Sequence, residues 1–336
     1  MTCCSRIGLV VHEGRPTALR AAEVVRDWAA GRGIPITQLD VWSSEDHRRS
    51  AADEVAAAGH PDLVVTIGGD GTFLRGVRVA VQDDAPVLGV DVGRVGFLTE
   101  IHPDEVGTAL DTYAAGRAQV EERIMVGMRS SRPLAIPAGI EALLRYGRGP
   151  IPPPPPQETS PEVAPSNGYD VGVTAMNDIV FEKLVRHHQA SIGVYVDGQL
   201  FASYSADAVI VASPTGSTAY SFSAGGPILS PRLRALICTP VAPHMVFNRS
   251  LVVPADEQVE MCVLEGSGPV VISVDGQIQG VLEPGDWVDV DAASTPARLV
   301  RLRPSRFYDR LRERFGLGPA PATAGEDVPT AIDRHG

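Results

Sequence analysis

Residues 68–72 read Gly-Gly-Asp-Gly-Thr and close the apolar run "DLVVTIGG". A strand that ends in a glycine turn and passes into a helix, as in "DLVVTIGGDGTFLRGVRVAV", suits phosphate. Glycines admit positive φ and let backbone amides come close, and the helix N-terminus adds partial positive charge. Asp70 is a carboxylate in the middle of such a cradle. It either caps the turn, or takes the proton of a hydroxyl that attacks a phosphate held around Gly68, Gly69, Gly71 and Thr72. Walker A lysine and G-x-G-x-x-G spacing are both missing, so neither the P-loop nor the dinucleotide fingerprint applies.

Three further stretches carry chemistry-bearing residues. "ASPTGSTAYSFSAGGPI" (212–228) joins a strand end, a Pro-Thr-Gly turn and a run of small hydroxylated residues. Small side chains let backbone and Oγ atoms approach a ribose, an amide or a base edge, and Tyr220 is available for stacking. "NDIVFEK" (177–183) sets Asn177 and Asp178 at a strand end, and "GVDVGRVGFLTE" (89–100) is a glycine-punctuated segment after a strand candidate. His187 and His188 have no second ligand set at metal-site spacing.

The elements that must hold these residues change character along the chain. Over the first hundred residues, strand candidates 6–12, 34–42, 61–69 and 85–93 alternate with helical spacing at Ala21, Val24, Val25 and Trp28 and over 45–59. That alternation predicts a parallel sheet with helices on both faces, whose ligands sit at the carboxyl ends of the strands. From about residue 120, β-branched alternating segments with Asp-Gly and Pro-Gly turns predict hairpins and a mostly β domain. The expected division is an α/β domain over 1–118, a β-rich domain over 119–310 and an end segment over 311–336. The second domain carries a Pro-rich insertion at about 130–169, extended in character. The third holds a short amphipathic helix near 306–316 and a tail of disorder-prone composition.

Composition bounds the partners. The 336 residues are 44% hydrophobic and 21% charged, enough for two cores. A formal charge of −12 argues against a nucleic-acid surface, so an anionic substrate would need local arginines. Four cysteines form neither a disulfide framework nor a spaced metal set, and the chain has no apolar stretch of membrane-spanning length. The expectation is a cytoplasmic protein with reduced thiols and no membrane partner.

Taken in order over roughly residues 5–310, the four motifs resemble the NAD kinase family. "GGDGT" alone would equally fit lipid kinases and phosphofructokinases; "SPTGSTAYSFSAGGPI" separates them. The resemblance implies a Rossmann-like α/β domain of the phosphofructokinase and diacylglycerol-kinase type, followed by a β-rich domain. It implies transfer of the γ-phosphate of ATP, or in some members of polyphosphate, to the 2′-hydroxyl of the adenosine ribose of NAD. Mg²⁺ or another divalent cation would accompany ATP, and the assembly would be a homodimer or homotetramer. By the same resemblance Asp70 is the proton acceptor, and Gly71, Arg75, Asn177, Asp178, His188, Asp207 and Gln277 contact the dinucleotide. Thr218, Ala219, Tyr220, Ser221, Phe222 and Ser223 line the same site. The chain departs from the family at Ala206-Asp207-Ala208, where glycine usually follows the aspartate, and at Asp91, where Asn is common. Alanine at a position of positive φ would be strained, which leaves room for a weakly active NAD(H)-binding sensor.

Overall fold

The computed structural model describes residues 4–39, 41, 51–93, 96–137, 167–185, 188–304 and 307–317. Contacts divide the chain into a unit ending at Leu302 and a second beginning at Arg303. The described part of the second contains one helix, Phe307–Phe315, with Leu311 buried. The tail from 318 and the insertion residues 138–166 lie outside the described residues, as does His187.

Three six-stranded sheets build the first unit. In the first, β1 (Ile7–Val11), β2 (Ile36–Gln38), β3 (Leu63–Gly68) and β4 (Val87–Asp91) run in the spatial order β2-β1-β3-β4, all parallel. Two strands from much further along complete it: β18 (Ala297–Arg301) parallel to β4, then β5 (Gln119–Arg123) antiparallel to β18. Burial of every residue of β1, β3 and β4 reflects helices on both faces. Ile7, Leu9 and Val11 pack with α1 (Pro16–Ala30) and α4 (Val106–Ala114). Val10, Val64 and Val87 face α2 (Ala51–Ala57) and α3 (Asp70–Ala80). The chain leaves β1 toward one side and returns at β3 on the other, so the crevice between their carboxyl ends is the topological switch point where ligands bind in such sheets.

The other two sheets form the expected β-rich part. With β6 at Val126–Ser130, β7 at Tyr169–Asp170, β13 at Leu251–Pro254, β14 at Val259–Val263 and β17 at Trp287–Ala292, one has the order β10-β9-β14-β17-β6-β7 and the other β13-β12-β11-β8-β15-β16. Their inner faces share a core that includes Met128, Phe181, Ile192, Val209, Leu236, Met261 and Ile272. Here β8 is Asp178–Lys183, β9 Ala190–Val196, β10 Gln199–Ala206 and β11 Ala208–Ala212. β12 is Ala235–Val241, β15 Val270–Val274 and β16 Gln277–Leu282. Both Asp-Gly hairpins form as predicted: Asp197 and Gly198 have φ of 48° and 73°, Asp275 and Gly276 46° and 75°. Two positive φ values in a two-residue loop match the right-handed twist of the strands they join.

The strain that a positive φ would bring to Ala208, where the family has glycine, is not found, nor is any at Ala206. Both are buried strand residues, and neither is among the described non-glycine residues with positive φ.

Candidate active site

Asp70 is the first residue of α3, and its side chain does not cap the helix. Its carboxylate instead accepts two backbone N–H groups from the segment after β4, Phe97 at 3.0 Å and Leu98 at 3.1 Å. Gly96 makes this possible, because a Cβ there would lie 2.1 Å from Asp70 Oδ1. Asp91, the family departure, turns into the same segment and accepts Gly93 N–H at 2.8 Å and Gly96 N–H at 3.1 Å. Its charge therefore holds the loop that holds Asp70.

The glycines of the turn correct a sequence expectation. None of Gly68, Gly69 and Gly71 has positive φ, and Gly69 is extended at φ −101°. Gly68 is required for space, because a Cβ there would meet Thr72 Oγ1 at 2.1 Å, while the positions beside Gly69 and Gly71 are open. The open face lies on a cleft of about 410 Å³. His12 and Arg15 line it from just after β1, Gly69, Gly71, Thr72 and Arg75 from the start of α3, Arg78 from its last turn, and Asp275, Gly276 and Gln277 from the β15–β16 turn. The local arginines demanded by an acidic chain are thus present, as Arg15, Arg75 and Arg78. Arg75 also donates to the carbonyl of Val41 at 2.8 Å.

The β15–β16 turn ties this cleft to the second and third motifs. Asp275 accepts the backbone N–H groups of Met176 (2.9 Å), Asn177 (2.7 Å) and Asp178 (3.2 Å). Burial pushes its carboxyl up, against those three donors and the charge of Arg78. Asp178 is buried beside it. Burial first, then the charge of Asp275, raise its carboxyl to about 7, while the Tyr220 N–H acts the other way. That N–H begins the single helical turn Tyr220–Ser223, so the turn is anchored on Asp178. The Asn177 carbonyl accepts Ser213 N–H at 2.9 Å, and a Cβ on Gly216 would lie 2.0 Å from the same oxygen. The Pro-Thr-Gly turn therefore packs directly on the Asn177 backbone.

Within residues 218–223 the side chains divide. Tyr220, Phe222 and Ser223 are exposed, and Thr218 and Ala219 are half-buried. Ser221 is fully buried and bonds Thr239 at 3.0 Å, which bonds Ser250 at 3.0 Å, so it anchors the turn to β12. Two sequence candidates lie elsewhere. Asp207 sits at the opposite end of the β8–β11 pair from Asp178, roughly 16 Å away for five residues of strand, and His188 lies in the loop that follows Lys183 at that end, against Gly268. There Asp207 pairs with Lys183.

Residues missed from sequence include Asp275, Arg15, Arg78 and His12. "VDGQ" reads as a hairpin turn with Gln277 near a ligand, and no local pattern marks Asp275, whose partners Met176, Asn177 and Asp178 lie about a hundred residues away in sequence. His12 and Arg15 follow the carboxyl end of β1, and the same rule that located Asp70 would have found them.

Among the described residues no group of three or more His, Cys, Asp or Glu could hold a metal ion. Nor is any described helix long and apolar enough to cross a membrane.

Comparison with known proteins bears on the same residues. A family model described as the ATP-NAD kinase N-terminal domain matches residues 7–118, and one described as the ATP-NAD kinase C-terminal domain matches 176–302. NAD kinase 1 of Streptomyces avermitilis is 57% identical over 322 residues, covering 96% of this chain and 90% of the relative. The NAD kinase of Moorella thermoacetica is 36% identical over 317 residues, covering 93% and 90%. Two solved structures share the fold. Yeast NADH kinase complexed with NADH superposes with a TM-score of 0.71 at 22% identity, covering 95% of this chain and 90% of that one. An Archaeoglobus fulgidus NAD kinase in complex with ATP gives 0.65 at 20% identity, covering 93% and 100%.

Proposed function

The chain belongs to the NAD kinase family, and from that premise we propose that it transfers the γ-phosphate of ATP to the 2′-hydroxyl of the adenosine ribose of NAD, giving NADP. One observation carries the assignment of the site. Gly69 and Gly71, which flank Asp70, and the Asp275–Gln277 turn line a single arginine-bearing cleft, and the second turn is hydrogen-bonded to Asn177 and Asp178.

Phosphoryl transfer passes through a loose transition state, so positioning and charge neutralisation supply most of the rate. Arg15, Arg75 and Arg78 neutralise the phosphates, and the open side of the turn at Gly69 and Gly71 seats the group in transfer. Asp70 accepts the proton of the attacking hydroxyl, a contribution of about 10²- to 10⁴-fold. Asn177, Asp178, Gln277 and the exposed Tyr220, Phe222 and Ser223 bind the dinucleotide, with Ser221 and Asp275 holding them in place.

A divalent cation fits here only as a partner of the ATP phosphates. Mg²⁺ is commonly bound by one or two carboxylates and substrate phosphates, and the carboxylates beside this cleft are committed to backbone amides. Bound in that way, the ion would offset charge on the donor.

Exposed Leu200 and Phe201 on the edge strand β10, with Phe247 packed edge-on against Phe201 at 5.7 Å, support a homodimer or homotetramer. Light scattering at twice or four times the chain mass checks it. A cytoplasmic location is part of the same proposal, and cell fractionation tests it.

The deciding experiment is NADP formation from NAD and Mg-ATP, with polyphosphate, lipid and sugar acceptors or donors run in parallel. Wild-type protein should form NADP, and Asp70→Asn should lose at least 10²-fold in kcat. Label on a lipid or sugar in place of NAD would sink the proposal, as would tight dinucleotide binding without turnover.

A further inference from the structure

Two buried arginines, Arg123 and Arg301, and two half-buried glutamates, Glu100 and Glu121, form a chain of charges that the proposed chemistry does not use. Arg301, at the end of β18, has a side chain 4% exposed. It donates through Nη1 to the carbonyl of Leu98 at 3.0 Å and to Glu100 at 3.2 Å, and through Nε to Glu121 at 2.9 Å. The other Glu121 oxygen bonds Arg123 Nη2 at 2.9 Å. Arg123, equally buried, reaches Thr215 Oγ1 at 3.4 Å. Burial alone would raise the Glu121 carboxyl, but hydrogen bonds and charge from Arg123 and Arg301 hold it below the usual range.

Both ends of this chain of charges touch the site. Leu98, whose carbonyl Arg301 grips, donates its own N–H to Asp70. Thr215 opens the turn whose Gly216 packs on Asn177 and whose carbonyl accepts Thr218 Oγ1. Taking four charges out of water contributes little net stability, and apolar residues of the same volume often do as well. What apolar side chains cannot do is fix the direction of a particular carbonyl and hydroxyl. Arginine suits the task because its planar guanidinium donates to several acceptors in a set geometry, which a lysine ammonium does not.

We propose that Arg301 is a positioning residue for Asp70, acting through the Leu98 carbonyl, and that Glu121 and Arg123 extend the same constraint to Thr215 in the second motif. The proposal rests on Asp70 being the base of the kinase reaction. Arg301 orients the peptide whose N–H groups aim the carboxylate, and the shared Glu121 sets the distance between that peptide and the dinucleotide-binding turn. A shift of about 1 Å in a reacting group costs on the order of 10²-fold in rate.

The test is Arg301→Lys, which keeps the charge and loses the fork. Its kcat should fall about 10- to 100-fold while KM for NAD and for ATP stays within about threefold, and amide hydrogen exchange at Phe97 and Leu98 should accelerate. In an Asp70→Asn background the same change should cause no further loss, because residues that act as a unit are not additive. Glu100→Gln, a milder change at the same guanidinium, should show the same pattern with a smaller loss and serves if Arg301→Lys does not fold. Wild-type turnover in folded Arg301→Lys, a loss confined to KM, or full additivity with Asp70→Asn would each overturn the proposal. Wild-type NADP formation and its dependence on Asp70 are read in the same experiment, so a failure of the kinase assignment is distinguished from a failure of the positioning role.

Discussion

Gly96→Ala should disable catalysis without removing any group that takes part in it. The added Cβ would lie 2.1 Å from Asp70 Oδ1, 2.5 Å from Cγ and 2.6 Å from Oδ2. Ordinary van der Waals contact begins near 3.4 Å. The carboxylate must therefore retreat by about 1.3 Å, and both amide bonds from Phe97 and Leu98 break or lengthen. At on the order of 10²-fold for 1 Å of misplacement, kcat should drop by 10² or more. That approaches the effect of deleting the base. Stability should fall by about 1–3 kcal/mol, the usual range for overpacking. The assay is NADP formation, with urea unfolding of the same samples. The double variant Asp70→Ala with Gly96→Ala isolates the cause: with the carboxylate gone the methyl has room, so stability should return while activity does not. Folded Gly96→Ala with turnover within threefold of wild type would refute the contact between loop and carboxylate as the element that aims Asp70.

Other outcomes follow from the same geometry. The Asp178 carboxyl is raised to about 7 by burial and by Asp275. The folded state therefore holds a proton that the unfolded chain has released above about pH 4, and stability from this group is lost as pH rises toward 7. Between pH 5.5 and 7.5 the fall should be about 2 kcal/mol in urea unfolding, absent in Asp178→Asn. Asp91→Asn should destabilise by about 1–2 kcal/mol, because one amide oxygen cannot serve both Gly93 and Gly96 N–H and its own NH₂ then faces a donor. Arg78→Met should raise KM for the phosphate-bearing substrates with a weaker effect on kcat, and steepen less with salt than wild type does.

The fold class was legible because its signals are local. Fully buried runs such as Leu63–Gly68 and helical spacing such as Ala21, Val25 and Trp28 report one layer at a time, and Asp-Gly turns report hairpins through backbone sterics. The α2 segment was expected over 45–59, and the structure describes helix from Ala51 to Ala57. Within the site, Asp70, Arg75 and Gln277 were reached from motif and resemblance, and they meet at one cleft or beside it. Asp275, Arg123 and Arg301 were not reached. Their roles depend on which strands become neighbours, as when β5 and β18 bring Glu121 beside Arg301, and no local pattern encodes that pairing. The expected need for positive φ in the Gly-Gly-Asp-Gly turn failed for a related reason: Gly68 answers to Thr72, a steric demand from the following turn of helix. The absence of positive φ at Ala206 and Ala208 removes one of the motives for a degraded sensor, with Asp91 and the insertion as the others.

The fifth strand of the first sheet comes from almost the end of the folded unit, since β18 lies against β4 only once residue 299 is in place beside Val87. The far end of that edge is bridged early, at Val90 by Ile101, but during synthesis the stretch at Val87 stays open while the ribosome adds the intervening chain, roughly 10–40 s. An unpaired edge of that kind is a template for pairing with other chains. The nascent protein thus has a window in which the edge of its parallel sheet is open at Val87, and the strand that closes it is the one bearing Arg301. Closing the sheet and locking the catalytic loop are one event, so a chain that stops short of β18 neither seals its edge nor aims its base.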